Sequence, residues 1–149
     1  MDGTHTIDTS FDVTERTLTT VFDQLEKHNV DLRGIVLKPN MILSGYDCKN
    51  QASVDEVAQK TLECLTKNVP SRVSGIAFLS GGQSDELATL HLNEINKHDT
   101  NWNVTFSYGR ALQQGALKAW AGKLENTKIT QEVLLARAKS NSLASTGSL

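Results

Sequence analysis

Gly34-Ile-Val-Leu-Lys-Pro39 is the stretch on which the fold turns. Gly34-Ile-Val-Leu37 is a short unbroken apolar run, which reads as a strand buried on both faces, as in a parallel sheet. Pro39 cannot donate to a ladder, so the strand is expected to stop near Lys38. Upstream, Leu18, Val21, Phe22 and Leu25 recur at i, i+3, i+4 and i+7, the stripe of a helix running to about Asn29. Asp12-Val-Thr-Glu15 resembles a capping box and sets the expected start of that helix at Asp12, after a lead-in over residues 1–11. Downstream the cycle repeats. Ser53-Val-Asp-Glu56 caps a second helix, with Val54, Val57, Ala58, Thr61, Leu62 and Leu65 on one face, which must end before Pro70. Gly75-Ile-Ala-Phe-Leu79 is the next buried strand, and Ser84-Asp-Glu86 opens a third helix with acids at its positive end. Val104-Thr-Phe-Ser107 is a third strand, with a helix after it through about Ala121. A last helix from about Thr130 to Ser140 precedes a small, polar tail over 142–149, expected to be mobile.

Helix–strand alternation with apolar strands implies parallel pairing and right-handed crossovers. Three strands leave two open edges, so the 149 residues read as part of a larger α/β fold. Composition narrows the function classes. There are 15 Lys+Arg against 17 Asp+Glu, a net charge of −2, and the pI is about 6.1. That balance argues against a nucleic-acid partner. No apolar stretch is long enough for a membrane span. Met1-Asp-Gly-Thr-His-Thr6 lacks a basic n-region and an apolar h-region, and Cys48 and Cys64 make no disulfide framework. A reduced, cytoplasmic chain is the expectation.

Lys38 is the residue most out of place. It ends an apolar strand, where a parallel barrel builds its active site; desolvation there would leave a neutral amine able to attack a carbonyl. The other reading is a strand-end lysine that simply reaches water. Ser80-Gly-Gly-Gln-Ser84 follows the second strand and opens a helix, a place where backbone amides can curl around an anion. Ser107-Tyr-Gly-Arg110 does the same after the third strand and adds a guanidinium. Rival chemistries fail on spacing. There is no Gly-x-Gly-x-x-Gly and no Walker-type Gly-Lys-Ser/Thr. His5, His28, His91 and His98 form no His-x-x-x-His pair, and the cysteines lack partners for a zinc site. His91 and His98 are expected on a solvated helix and its end, and Trp102 and Trp120 as packing residues.

Leu37-Lys-Pro-Asn-Met41, Phe78-Leu-Ser-Gly-Gly-Gln-Ser84, Thr105-Phe-Ser-Tyr-Gly-Arg-Ala111 and Ala138-Lys-Ser-Asn-Ser-Leu143 together resemble class I fructose-bisphosphate aldolase. The resemblance runs from about Asp2 to Ala144. It implies the C-terminal part of a TIM (β/α)8 barrel, about strands six to eight, incomplete as given. Lys38 matches the family's Schiff-base lysine. Ser80, Gly81 and Gly82 match its phosphate loop, and Ser107, Gly109 and Arg110 its further phosphate-binding positions. The implied reaction is reversible cleavage of fructose 1,6-bisphosphate to dihydroxyacetone phosphate and glyceraldehyde 3-phosphate, in glycolysis and gluconeogenesis, with neither metal nor cofactor. The implied partners are a phosphorylated sugar and, at full length, further copies of the chain, a tetramer in the family.

The chain departs from the family pattern in several places. The upstream acidic residues that serve as acid and base have no counterpart, nor has the tail ending in a tyrosine. Ser44 stands where the family often has Pro, and Ala121 where it often has Gly. Activity is therefore not expected of these 149 residues alone. The alternative reading is a truncated, non-catalytic product that only binds a phosphorylated ligand or associates with full-length subunits.

Overall fold

A computed structural model describes residues 1–149. Helix α1 spans Ile7–Lys27 and begins five residues before the expected start. Its N-cap is Thr6, whose hydroxyl accepts from the Thr9 amide at 3.2 Å. The box-like Asp12-Val-Thr-Glu15 therefore lies inside the helix. The apolar stripe runs back through Phe11 to Ile7, and its burial carries the helix past the local capping signal. The residues before α1 are pinned to the loop after the first strand: the amides of Gly45, Tyr46 and Asp47 donate to the carbonyls of His5, Met1 and Gly3 at 2.9–3.1 Å. A Cβ on Gly45 would collide with the Gly3 carbonyl, so this close approach needs glycine.

The first strand, β1, is Val36–Leu37, shorter than the apolar run, because Leu32–Gly34 forms a 3-10 turn capped by Asp31. Helix α2 (Val54–Asn68) and helix α3 (Asp85–Ile95) start where the capping residues place them: Ser53 accepts from the Glu56 amide and Ser84 from the Leu87 amide, each at 3.2 Å. Strand β2 is Gly75–Phe78 and strand β3 is Val104–Phe106. Helix α4 (Arg110–Trp120) ends on Ala121, which takes the left-handed conformation (φ 51°). Helix α5 spans Thr127–Ala144, longer than expected at both ends. Beyond it the Leu149 amide donates to Asn93 Oδ1 at 3.0 Å.

The sheet is parallel throughout, in the order β1-β2-β3. Leu37 pairs with Ile76, and Ala77 and Phe78 pair with Thr105 and Phe106. The face carrying Ile76, Phe78 and Val104 is buried with Met41, Leu65, Leu92 and Ile95 in one apolar core. The alternate face, with Val36, Ala77 and Thr105, is open: Val36 is 63% exposed. The expected two-face burial therefore fails: Val36 and Thr105 are exposed and Ala77 is only partly covered, because no helix or strand of this chain packs on that face.

Two further expectations change. Trp102 packs, with its indole N–H on the Pro70 carbonyl at 3.2 Å, whereas Trp120 is 43% exposed because α4 buries only its alanine side, Ala111 and Ala116. His91 is not solvated but 4% exposed, with Nδ1 2.6 Å from Gln83 Oε1, and burial lowers its pKa to about 4. His98 is exposed, as expected.

Because the folded pKa of His91 lies below its ordinary 6.5, the unfolded state takes up the proton first. The stabilisation is complete above pH 6.5 and falls as pH drops toward 4, by about 3 kcal/mol in all. Urea titrations across that window should show a steeper stability loss in the parent than in His91→Asn. Parallel pH profiles would show that His91 does not carry the effect.

Candidate functional site

The three strands end at one edge of the sheet, and the ladder continues one step past each pair. The Leu79 amide donates to the Pro39 carbonyl at 3.0 Å, and the Ser107 amide to the Phe78 carbonyl at 2.8 Å. These bonds set Lys38, the Ser80–Gly82 loop and the Ser107–Arg110 loop side by side. Strand periodicity carries Lys38, two residues after Val36, toward the open face of the sheet. Its side chain is exposed and makes no ion pair or hydrogen bond. The apolar enclosure anticipated around this amine is not supplied by the residues of this chain.

The second loop is a tight turn closed by the Gln83 amide on the Ser80 carbonyl at 3.0 Å. Gly81 and Gly82 both have positive φ, 56° and 81°, which glycine adopts without strain. The backbone is also bare by necessity at Gly82. A Cβ there would lie 2.6 Å from the Tyr46 hydroxyl and 3.1 Å from Arg110 Nη2. The Arg110 guanidinium thus reaches across from the third loop to the second. Ser80 itself is buried, while Ser107, Gly109 and Arg110 are exposed.

Electrostatics separate the two helix starts. The first turn of α3 carries Asp85 and Glu86, which already occupy the positive end of its dipole. The first turn of α4 has no acid; Gly109 caps it without a side-chain bond, and Arg110 opens it. Free amides, a guanidinium and a glycine turn converge there, the donor set of a phosphate or carboxylate site.

Three positioning groups were not legible in the sequence. Tyr46 donates to the Gly81 carbonyl at 3.2 Å, and burial raises its pKa while the nearby Arg110 charge opposes that shift. Tyr108, whose pKa burial pushes far upward, donates to the Ala88 carbonyl at 2.8 Å and ties the third loop to α3. Arg137 on α5 spans both helix starts. Its Nη2 donates to the Asp85 carbonyl (2.6 Å), the Thr89 hydroxyl (2.7 Å) and the Ala111 carbonyl (3.2 Å), and Asn141 Oδ1 lies 2.7 Å from the Thr89 hydroxyl. Contacts made across 20 to 52 residues leave no periodic trace in a sequence.

Comparison with known proteins gives the family of the chain. The family model for fructose-bisphosphate aldolase class-I matches residues 1–149. Fructose-bisphosphate aldolase 2, chloroplastic, of Pisum sativum is 51% identical over 147 residues, which is 99% of this chain and 42% of that one. A probable fructose-bisphosphate aldolase class 1 of Xanthomonas axonopodis pv. citri is 49% identical over 149 residues, 99% of this chain and 45% of that one. The fructose-bisphosphate aldolase of Plasmodium falciparum, solved in complex with TRAP and a small-molecule inhibitor, superposes with a TM-score of 0.96 at 45% identity, covering 99% of this chain and 43% of that one. This chain spans less than half the length of these relatives. It is a member of the class I fructose-bisphosphate aldolase family.

Proposed function

We propose that this chain supplies the imine-forming lysine and the phosphate grip of a class I fructose-bisphosphate aldolase. The observation that carries the reading is the single sheet edge on which Lys38, the Ser80-Gly81-Gly82 turn and Ser107-Tyr-Gly109-Arg110 stand together, with Arg110 reaching over Gly82. In that reading the Lys38 amine adds to the ketone of a phosphorylated sugar and, after loss of water, holds it as an iminium. Breaking the bond between the carbons α and β to the iminium sends its electron pair into the iminium, giving an enamine in place of a free carbanion, while the β-hydroxyl gives up its proton to a base and becomes the carbonyl of the released aldehyde. Ser80, the Gly81 and Gly82 amides, Ser107, Gly109 and Arg110 hold a phosphate oxygen set and so fix the ketone against Lys38. The acid and base of the cycle belong to the remainder of a complete barrel, whose lumen the open face of this sheet would line.

Fructose 1,6-bisphosphate as substrate, a role in glycolysis and gluconeogenesis, assembly into homo-oligomers and a cytoplasmic location belong to the same proposal. No helix is long and apolar enough to cross a membrane, and the pea relatives are named chloroplastic. The exposed Lys38, without a hydrogen-bond or ion-pair partner, favours a second reading, a product that binds the phosphorylated ligand without turning it over.

The decisive test joins this chain to the upstream part of the pea relative. Borohydride with dihydroxyacetone phosphate should leave a reduced adduct on Lys38, and Lys38→Met should abolish labelling and cleavage together. An adduct on another lysine, with Lys38 unmodified, would refute the assignment. Saturable binding of dihydroxyacetone phosphate by the 149-residue chain, with no turnover even in the joined protein, would favour the second reading.

The phosphate grip is checked separately in the joined protein. Arg110→Ala should weaken the bisphosphate ten- to hundred-fold, the loss of a charge-assisted bond of ~1.5–3 kcal/mol, and leave a non-phosphorylated ketose nearly unaffected. Equal losses for both sugars would make Arg110 structural.

A further inference from the structure

We infer that the cleft between the loop after β1 and the facing sides of α2 and α3 is a binding site for a neutral, ring-sized apolar molecule bearing one hydroxyl group. The cleft has a volume of about 240 Å³. A cavity of about 150 Å³ already accommodates benzene, so a ring with a small substituent fits the space. Its walls are largely apolar, with Leu43, Val54, Val57 and Leu87 among them, and no Asp, Glu, Lys or Arg lines it. A charged ligand would lose its hydration on entry with no charged side chain in the wall to replace it.

Two polar groups in the wall lack partners. Ser44 is only 6% exposed, and its Oγ makes no hydrogen bond. A buried hydroxyl left unpaired is costly, and a ligand that bonds it recovers that cost. His91 is the second. Gln83 Oε1 can only accept, so the Nδ1 that faces it at 2.6 Å carries the proton. Nε2 is then a bare acceptor with no bond of its own, and with a pKa of about 4 the ring is neutral at pH 7. A ligand hydroxyl can donate to Nε2 and accept from Ser44, and the apolar body fills the rest. The Tyr46 hydroxyl is engaged with Gly81, the Gln51 amide nitrogen with Gly45 and Cys48, and the Ser84 hydroxyl accepts from the Leu87 amide. Neither Lys38, Ser107 nor Arg110 lines the cleft, so the inference stands whether or not the proposed reaction does.

Phenol and toluene, titrated into the isotope-labelled chain and followed by NMR, test this. Both should give saturable shifts at Ser44, Leu87 and His91, with phenol about three- to ten-fold tighter for its hydrogen bond. Benzoate, similar in size but charged, should bind at least about ten-fold more weakly than phenol. Ser44→Ala, which removes an unpaired hydroxyl and so should fold, should erase most of the preference for phenol. Leu87→Trp, a rim residue that would fill the cleft, should abolish binding of both. Absence of saturable shifts, equal affinity for phenol and toluene in the parent, or binding that survives Leu87→Trp would each overturn the inference. So would a water that bridges Ser44 and is not displaced by phenol.

Discussion

Two backbone hydrogen bonds hold the working edge of this molecule: Leu79 to the Pro39 carbonyl, and Ser107 to the Phe78 carbonyl. Each extends a parallel ladder past its strand, where the chain leaves the sheet. Because the strands are parallel, all three departures occur on the same side, so chemistry gathers there without any long-range design of the loops. A one-residue slip in either pairing would move the β2 side chains to the wrong face and carry the glycine turn out of reach of Arg110. The buried Ile76 and Phe78 resist that slip, since both would have to leave the core.

Above this edge, charge is divided by the first turns of two helices. Acids on α3 and a guanidinium on α4 make the same backbone dipole serve opposite ends. An anion entering between the loops meets one occupied and one open positive terminus, and the open one is flanked by the bare backbone of Gly82. The discrimination comes from side-chain placement, since the helix ends themselves are alike.

How much of this was legible in the sequence depends on the range of the interactions. Ser53 and Ser84 cap the helices they precede because a cap is decided within four residues, and the apolar runs locate all three strands for the same reason. Lys38 and the two loops were visible as residue types out of keeping with their strands. Asp12 misled because a local capping pattern lost to the packing of Ile7 and Phe11, whose partners lie far along the chain. Val36 misled because an apolar run does not show whether any element covers each face of its strand, and here one face is uncovered. His91 read as a surface residue on a polar helix; its burial depends on Gln83 and on the wall of a cleft built from three segments. Tyr46, Tyr108 and Arg137 act on carbonyls, which every residue has, so nothing in the sequence marks their targets.

The reach of Arg137 also sets an order in time. Its bonds to Asp85 and Thr89 span 52 and 48 residues. During synthesis the strands, both glycine-bearing loops and the first turns of α3 and α4 all emerge before the residue that ties those turns together. Closing so long a loop comes late in folding, once its entropy is offset by contacts already made. The sheet edge therefore passes through a stage in which Lys38 and both loops are present but their spacing is unfixed, until α5 docks and ties the two helix starts together.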